Sequence, residues 1–329
     1  MMTDSNSRIG LVLKGAAMGI AEVVPGVSGG TIAFITGIYE TLIGSIKSIG
    51  PGALAGWREG GLKGLWLAVN GDFLLWLLIG MVVGILCGVI GVDYLLTHFP
   101  EPLWSFFFGL ILASAIYIGR QIPHWKLSTI LAVVVGAVGA YVLTTLSPAT
   151  GSLHPGYVFL SGVIAISALM LPGISGSFIL LIMGMYTVII PLLKDILGLT
   201  DLSGLSTIVI FACGCLTGMV LFSRVLSWLF SSYYQLTMAV MTGFLIGALN
   251  KVWPWRNTTA LLDKNTQQIH NIADAEQLST FDPEQIKLLT ETNVLPAQYW
   301  GDAPMVVACI ASFVLGLLLV LVLSKLDKS

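Results

Sequence analysis

Two short segments combine proline, glycine and hydroxyl residues in the same order. The first reads Pro25-Gly-Val-Ser-Gly-Gly-Thr and precedes Gly37-Ile-Tyr39, and the second reads Pro172-Gly-Ile-Ser-Gly-Ser-Phe and precedes Gly184-Met-Tyr186. Proline ends a helix, glycine permits an unwound turn, and serine or threonine caps the next helix. Free N–H groups at a helix start attract anions such as phosphate. The pattern predicts hairpin breaks at Pro25, Gly26, Pro172 and Gly173, and an anion site formed by Ser28, Gly29, Gly30, Thr31, Ser175, Gly176 and Ser177.

A second interpretation of these segments is purely structural. A break rich in glycine and serine also kinks a helix, or lets two helices pack closely. The occurrence of the same break in both halves of the chain favours the binding interpretation, because secondary transporters place their sites at paired broken helices.

Three charged residues fall within or beside apolar segments, where a charge is costly and usually functional. Arg224 could supply a fixed, forked charge to a bound phosphate. The alternative is an ion pair with Glu22 or Glu40 that only holds helices together. Glu22 and Glu40 are candidates for proton coupling or gating. For Glu22 a permanent ion pair is an equally good interpretation.

The composition places these residues in a membrane protein. Of the 329 residues 56% are hydrophobic and 10% are charged, whereas soluble domains have about 25% charged residues. Apolar stretches of about 20 residues match the length of a spanning helix rather than that of a barrel strand. The net charge of −2 is small, and we therefore expect no nucleic-acid partner.

Further features occur twice and define two repeats. Gly15 corresponds to Gly162 and Lys47 to Lys194, and Gly80-x-x-x-Gly84 corresponds to Gly214-x-x-x-Gly218. We therefore divide the chain into membrane repeats 1-150 and 151-329. Each has a motif segment, predicted to be a re-entrant helical hairpin, and about three spanning helices. These helices are predicted at 72–96, 103–119 and 128–146, and at 205–231, 236–252 and 303–324.

An odd number of crossings per repeat makes the second repeat upside down relative to the first. The predicted fold class is therefore an all-α polytopic membrane protein with two inverted-topology repeats. Lysine and arginine accumulate on the cytoplasmic side of spanning helices, and their distribution predicts that both termini are cytoplasmic. The acidic segment 256–302 is then a periplasmic insertion. Lys194, Lys251 and Arg256 are exceptions to this rule, and Lys14 and Arg120 are expected to anchor the inner interface.

Other chemistry is not expected. The cysteines Cys87, Cys213, Cys215 and Cys309 lie in apolar runs, where thiols behave as small hydrophobes. We predict neither a disulfide nor a metal site, and no cofactor apart from a coupling proton or another cation. The short polar start of the chain, which lacks a cleavage motif, predicts that no signal peptide is removed.

The strings GAAMGIAEVVPGVSGGTIAFITGIYE and ALMLPGISGSFILLIMGMY resemble the PopT family of bacterial polyprenyl-phosphate translocases over essentially the whole chain. The resemblance implies a lipid transporter of the cytoplasmic membrane that returns undecaprenyl phosphate to the inner leaflet for envelope polymer synthesis. The matching residues are Glu22, Pro25, Gly26, Ser28, Gly29, Gly30, Thr31, Tyr39 and Glu40, with Pro172, Gly173, Ser175, Gly176 and Ser177. Many relatives carry Asp at the position of Glu22.

Two other functional classes share parts of this pattern. Membrane undecaprenyl-pyrophosphate phosphatases are similar in their inverted repeats, but their first hairpin carries a Glu-x-x-x-Glu pair and their second carries an arginine. Here Met18 and Gly176 stand at the positions of the first glutamate and of the arginine, so the groups that activate and stabilise hydrolysis are missing. A proton-coupled carrier of a small soluble anion would need a polar pore, and the predicted spans are poor in polar residues.

Overall fold

The computed structural model describes residues 7–24, 27–146, 149–198, 201–263, 268–282, 285–301 and 303–326. Within these residues, five helices are long and apolar enough to cross a membrane, and there are up to seven such spans if each of two bent helix pairs counts as one. The chain is therefore mostly helical, with several long apolar helices compatible with a polytopic membrane protein. At this level the predicted fold class is confirmed.

The described residues of the first half form helices joined by turns, without strands. Its three long helices fall close to the predicted spans. The helices are α1 (Arg8–Val23), α2 (Gly29–Ile35), α3 (Tyr39–Ser48), α4 (Pro51–Ala68), α5 (Gly71–His98), α6 (Pro100–Gly119) and α7 (Leu127–Thr145).

The second half repeats this order and then departs from it. Its helices and strands are α8 (Pro155–Leu169), α9 (Gly176–Ile182), α10 (Tyr186–Leu197), α11 (Leu205–Ala248), β1 (Arg256–Asp263), β2 (Ile269–Asn271), α12 (Ala275–Ser279), β3 (Ile286–Asn293) and α13 (Val306–Leu326).

Corresponding short helices are bent at corresponding glycines. The axes of α2 and α3 differ by 117°, and those of α9 and α10 by 114°. Gly37 at the first bend has a φ of 70° and Gly184 at the second has a φ of 68°. This left-handed conformation is readily available only to glycine. The glycines that follow each sequence motif thus allow the chain to turn sharply after each short helix.

Helix α11 covers the span predicted at 205–231 and most of the span predicted at 236–252. It is 44 residues long and is broken at Tyr233, which has a φ of −137° and a ψ of 43°. The Thr237 hydroxyl lies 3.2 Å from the carbonyl oxygen of Leu229 and 3.0 Å from that of Tyr233, and donates to them. A side-chain donor at the break compensates carbonyl groups that lose helical partners there. The two limbs of α11 therefore correspond to the two predicted spans.

The segment between α11 and α13 contains a β-sheet, which corrects the prediction of an all-α chain. The strand order is β2-β1-β3, and both pairings are antiparallel. The predicted insertion at 256–302 covers the sheet, but its strands were not expected. Charged and polar residues interrupt the apolar residues of β1 and β3, so neither strand shows the strict alternation that marks a half-buried strand.

The duplicated glycines bring equivalent helices into contact. A side chain at Gly80 or Gly84 of α5 would collide with the backbone of α1. A side chain at Gly214 or Gly218 of α11 would likewise collide with the backbone of α8. Small residues at such positions let helix backbones approach closely in a membrane. The repeated Gly-x-x-x-Gly block therefore has the same packing role in both halves.

The last helix of each half packs on the other half. Helix α7 packs on the second limb of α11, where Gly243 faces the backbone of Val133. Helix α13 packs on α6, where Gly109 faces the backbone of Phe313. The halves defined by the sequence repeat are therefore interlocked rather than separate in space.

Candidate functional site

The first hairpin break ends at Ser28, which caps α2. The Ser28 hydroxyl accepts a hydrogen bond from the Gly30 N–H at 3.1 Å, and its carbonyl accepts from the Thr31 N–H at 3.0 Å. The Gly29 N–H donates to Glu22 Oε1 at 2.6 Å. The three amides that were predicted to face an anion are thus bound by the protein itself in this conformation.

Helix α1 supplies charged partners to both ends of α2. Glu22 binds the first amide of α2, and Lys14 Nζ donates to the carbonyl of Thr36, just past its last residue, at 2.9 Å. A carboxylate at a helix start and an ammonium at its end both stabilise the helix dipole. Helix α2 has seven residues, all buried, so these partners replace the water that its ends lack. The two contacts also show that α1 and α2 form an antiparallel hairpin.

The second break has a different set of partners. Ser175 caps α9, and its hydroxyl lies 3.4 Å from the Phe178 N–H nitrogen and 2.8 Å from the Ser177 hydroxyl. Leu169 occupies the position that corresponds to Glu22, so no carboxylate reaches the start of α9 from α8. The Gly176 N–H makes no hydrogen bond to another residue that the structure describes. The start of α9 is therefore less fully bonded than the start of α2.

Polar side chains of the first half join the two breaks. The Thr31 hydroxyl accepts from the Gly173 N–H at 3.0 Å, and the Tyr39 hydroxyl donates to the Met170 carbonyl at 2.6 Å. Ser28 Oγ lies 3.4 Å from the carbonyl oxygens of both Leu169 and Leu171, which is long for a hydroxyl hydrogen bond. The structure thus brings the predicted residues of both motifs together. It also uses several of their hydroxyl groups for contacts between the two halves.

Of the four predicted break residues, the structure describes two. Pro172 is buried, and Gly173 has a φ of 82°, so the chain reverses there in a conformation that suits glycine. Pro25 and Gly26 lie outside the described residues.

Arg224 lies at the other end of α3 from the two breaks. A Cβ atom at Gly50, just past α3, would be 2.8 Å from Arg224 Nη2. Helices rise 1.5 Å per residue, so this point lies about 15 Å along α3 from Tyr39, which contacts the second break. The structure does not bring Arg224 to the Ser-Gly turns, and its role as a phosphate ligand stays a prediction. Glu40 is exposed in the first turn of α3.

A narrow cleft beside the second break is lined in part by a lysine side chain that was not predicted as a ligand. Its lining includes Gly173, Ser175 and Phe178 from the break, Thr144 from α7, and Lys251 from the turn after α11. Its volume is about 20 Å³, enough for about one water molecule. From the sequence, Lys251 was expected only as an exception to the charge rule. That exception was the signal that could have identified it.

Lys251 belongs to a group of three charges at the base of the sheet. Its Nζ lies 3.9 Å from Glu291 Oε2, and Arg256 Nη1 lies 2.8 Å from the same oxygen. Burial lowers the pKa of Lys251, the Arg256 charge lowers it further, and Glu291 acts in the opposite direction. This group carries one more positive than negative charge.

The part of the chain that the structure describes has no set of side chains suited to bind a metal ion. No group of three or more His, Cys, Asp or Glu side chains is placed to hold a metal ion there. All four cysteines are free thiols.

Comparison with known proteins identifies the family. A family model described as undecaprenyl phosphate translocase-like matches residues 18–269, well over half of the chain. The chain belongs to this family. The match includes both hairpin breaks and Lys251, and it ends within the sheet.

Two curated relatives support this assignment. A polyprenyl-phosphate transporter of Vibrio cholerae is 48% identical over 248 residues, which are 75% of this chain and 78% of the relative. A polyprenyl-phosphate transporter of Staphylococcus aureus is 31% identical over 268 residues, which are 76% of this chain and 88% of the relative. Relatives in this family are named transporters, so the chain is a transporter rather than an enzyme, as predicted. No solved structure matches the chain.

Proposed function

We propose that this protein moves a polyprenyl phosphate, specifically undecaprenyl phosphate, from the outer to the inner leaflet of the bacterial cytoplasmic membrane. The observation that carries the proposal is the meeting of the two hairpin breaks through Thr31 and Gly173, in a chain whose family relatives are named polyprenyl-phosphate transporters. A carrier needs one substrate site that both faces of the membrane reach in turn.

The bonding at the breaks explains how such a carrier holds a phosphate. A charged headgroup loses its hydration inside the protein, and this loss costs many kcal/mol unless protein donors replace the water. The amides and hydroxyls at the two breaks are donors of this kind. In the present conformation they are bonded to Glu22 and to the facing break, so substrate exchanges one set of partners for another. Opening and closing of the site are thereby linked to substrate binding.

The two halves take the roles of inverted repeats in this proposal. The hairpin α1–α2 enters the membrane from the cytoplasm and the hairpin α8–α9 enters from the periplasm, each re-entering on its own side. Rocking of one repeat against the other exposes the breaks to each face alternately. The apolar polyprenyl chain stays in lipid throughout.

Glu22 couples this movement to protons. Its carboxylate holds the Gly29 amide, the same kind of donor that a phosphate oxygen requires. Protonation of Glu22 would weaken this bond, because a neutral carboxyl is a poorer acceptor than a carboxylate. Proton uptake thus frees the amide for the substrate.

Hydrolysis of a pyrophosphate lipid is disfavoured by the residues at the breaks. The position of the phosphatase arginine is Gly176, where even a Cβ atom would lie 2.6 Å from the Ala165 carbonyl oxygen and 3.0 Å from the Leu169 Cβ. An arginine does not fit at this position. Met18, at the position of the additional glutamate, is buried and apolar.

The proposal is tested in proteoliposomes that contain the purified protein. Movement of undecaprenyl phosphate between leaflets is measured together with phosphate release from the pyrophosphate form. Movement without release is expected. Release of phosphate, or movement of a small soluble anion in place of the lipid, would refute it.

Thr31→Val tests the contact that carries the proposal. Valine keeps the shape of threonine but leaves the Gly173 amide without its acceptor, which costs about 1–3 kcal/mol. Because this cost falls on one conformation, we expect the rate of lipid movement to change at least severalfold. Thr217→Val is the matched control, since Thr217 lies far along the chain from both breaks, is half-buried, and its hydroxyl donates within α11 to the Cys213 carbonyl oxygen at 2.8 Å. Equal rates in the two variants would contradict a role for the contact.

A further inference from the structure

The cleft beside the second break places the Lys251 ammonium and the hydroxyls of Ser175 and Thr144 within a mostly apolar lining. It reaches from Ser175, which caps α9, to Lys251, which follows α11 at the base of the sheet. Lys251 has 29% of its side chain exposed. This lysine therefore borders both the interior of the cleft and the exterior of the protein.

The positive charge of Lys251 is only loosely compensated. Its distance to Glu291 is 3.9 Å, whereas Arg256 binds the same carboxylate oxygen at 2.8 Å. The other close neighbour of the ammonium is the face of Phe178, with the ring centroid 5.4 Å away. Because Glu291 is shared and closer to Arg256, an anion in the cleft would gain the attraction of Lys251 without first breaking a tight ion pair.

Neighbouring polar groups fix the position of this lysine. Asn250, the preceding residue, donates to the Thr144 hydroxyl at 2.9 Å, and Asn293 of β3 donates to the Asn250 side-chain and main-chain oxygens at 2.9 and 3.0 Å. These bonds tie the turn after α11 to both α7 and the sheet. Little side-chain and backbone freedom is then lost at this turn when a ligand binds, which favours affinity.

We infer that Lys251 and the Ser175 hydroxyl form an entry site for the phosphate monoester headgroup of a lipid, on the side of the protein that carries the sheet. The site deepens the proposed function and depends on it for the identity of the lipid. The enclosed volume admits one phosphate oxygen beside Ser175. The rest of the headgroup stays at the mouth, where the exposed part of Lys251 lies. From there the headgroup is next to Gly173 and Thr31, where the two breaks meet.

The inference is tested by binding to the purified full chain in detergent micelles. The probe is farnesyl phosphate, with farnesol and inorganic phosphate as comparisons, and titration calorimetry gives the affinities. Lys251→Gln is expected to weaken farnesyl phosphate binding about tenfold or more. Lys251→Arg is expected to retain most of the affinity, and Glu291→Gln to increase it by removing a competing anion.

Lys194→Gln is the matched control. Lys194 is an exposed lysine of α10 and the same charge is removed, but it does not line the cleft. Its affinity for farnesyl phosphate is expected to equal that of the wild type. Thermal unfolding of each variant confirms that the fold is retained.

The outcomes separate this site from the proposed function. Equal binding by Lys251→Gln and Lys194→Gln overturns the site, even where the wild type moves lipid between leaflets. Weaker binding by Lys251→Gln alone supports the site, even where the wild type moves no lipid and the proposed function fails. Binding of farnesol as tight as that of farnesyl phosphate overturns a headgroup site. Binding of inorganic phosphate as tight as that of farnesyl phosphate overturns the lipid as its ligand.

Discussion

Glu22 and Leu169 stand at matching positions in the two copies of the motif, but only Glu22 binds a backbone amide. The C-terminal ends of α2 and α9 are more similar, because a side chain donates to a backbone carbonyl at each. Lys14 donates to the carbonyl of Thr36, and Tyr157 donates at 2.8 Å to the carbonyl of Met183, the matching residue. Helix α1 thus supplies charged partners to both ends of α2, whereas α8 supplies a neutral partner only to the far end of α9. Proton-dependent chemistry at the breaks is therefore expected in the first hairpin.

Substitution of Glu22 separates its bonding role from its charge. Glu22→Ala leaves the Gly29 amide unpaired in a buried site and is expected to lower the free energy of unfolding by about 1–3 kcal/mol. Glu22→Gln keeps an oxygen acceptor and is expected to retain most of that stability. Thermal unfolding in detergent measures the difference.

The same variants test proton coupling. A glutamine cannot take up a proton, so the rate of lipid movement by Glu22→Gln is expected to lose the pH dependence of the wild type. Glu40→Gln, which removes an exposed carboxylate of the same half, is expected to keep it. A pH profile unchanged by Glu22→Gln would rule out this carboxyl as the coupling group.

At the scale of helices, glycine faces decide which elements meet. The glycines of α5 differ in their surroundings: Gly84 lies against the backbone of α1, whereas a Cβ at Gly91 would meet no atom within 4 Å. One helix therefore provides both a contact glycine and an uninvolved one.

Substitutions in α5 distinguish these two roles. Gly84→Ala is expected to force α1 and α5 apart and to lower the free energy of unfolding by about 1–3 kcal/mol, as overpacking does. Gly91→Ala is expected to be neutral or to stabilise by up to about 1 kcal/mol, because alanine is the better helix former. Equal unfolding temperatures for the two variants would show that this helix contact contributes little.

At the scale of the whole molecule, the inverted arrangement makes a prediction about sidedness. Glu59 is exposed on α4 and Thr290 is exposed on β3, and the proposal places them on opposite faces of the membrane. In a cysteine-free background, Glu59→Cys and Thr290→Cys are expected to react with a membrane-impermeant maleimide from the cytoplasmic and periplasmic side, respectively. Labelling of both from the same side would contradict inverted repeats.

The sequence predicted those features that depend on local chemistry or on repetition. Long apolar runs located the spanning helices, and the repeated Pro-Gly-x-Ser-Gly pattern located both breaks. The pairing of Gly80 and Gly84 with α1 followed the same order as that of Gly214 and Gly218 with α8. Such features need only helix geometry and the membrane environment to be recognised.

Features that depend on tertiary contacts were missed. The sequence could not show that Glu22 and Lys14 bind the two ends of one short helix, because these bonds require the hairpin to be closed. Arg224 was expected at the phosphate because its charge lies within an apolar helix, but helix length places it at the far end of α3. Lys251 lies close to Ser175 only because the second limb of α11 packs beside the second break.

The exchange of α7 and α13 between the halves has a consequence for biosynthesis. Helix α13 follows α6 at a long distance along the chain, and its place against Phe106 and Gly109 of α6 stays empty until α13 has been synthesised. Until then α6 presents to lipid, or to an insertion factor, a face that is later covered. The contact between α6 and α13 therefore forms late, after the intervening helices and the sheet segment have been synthesised.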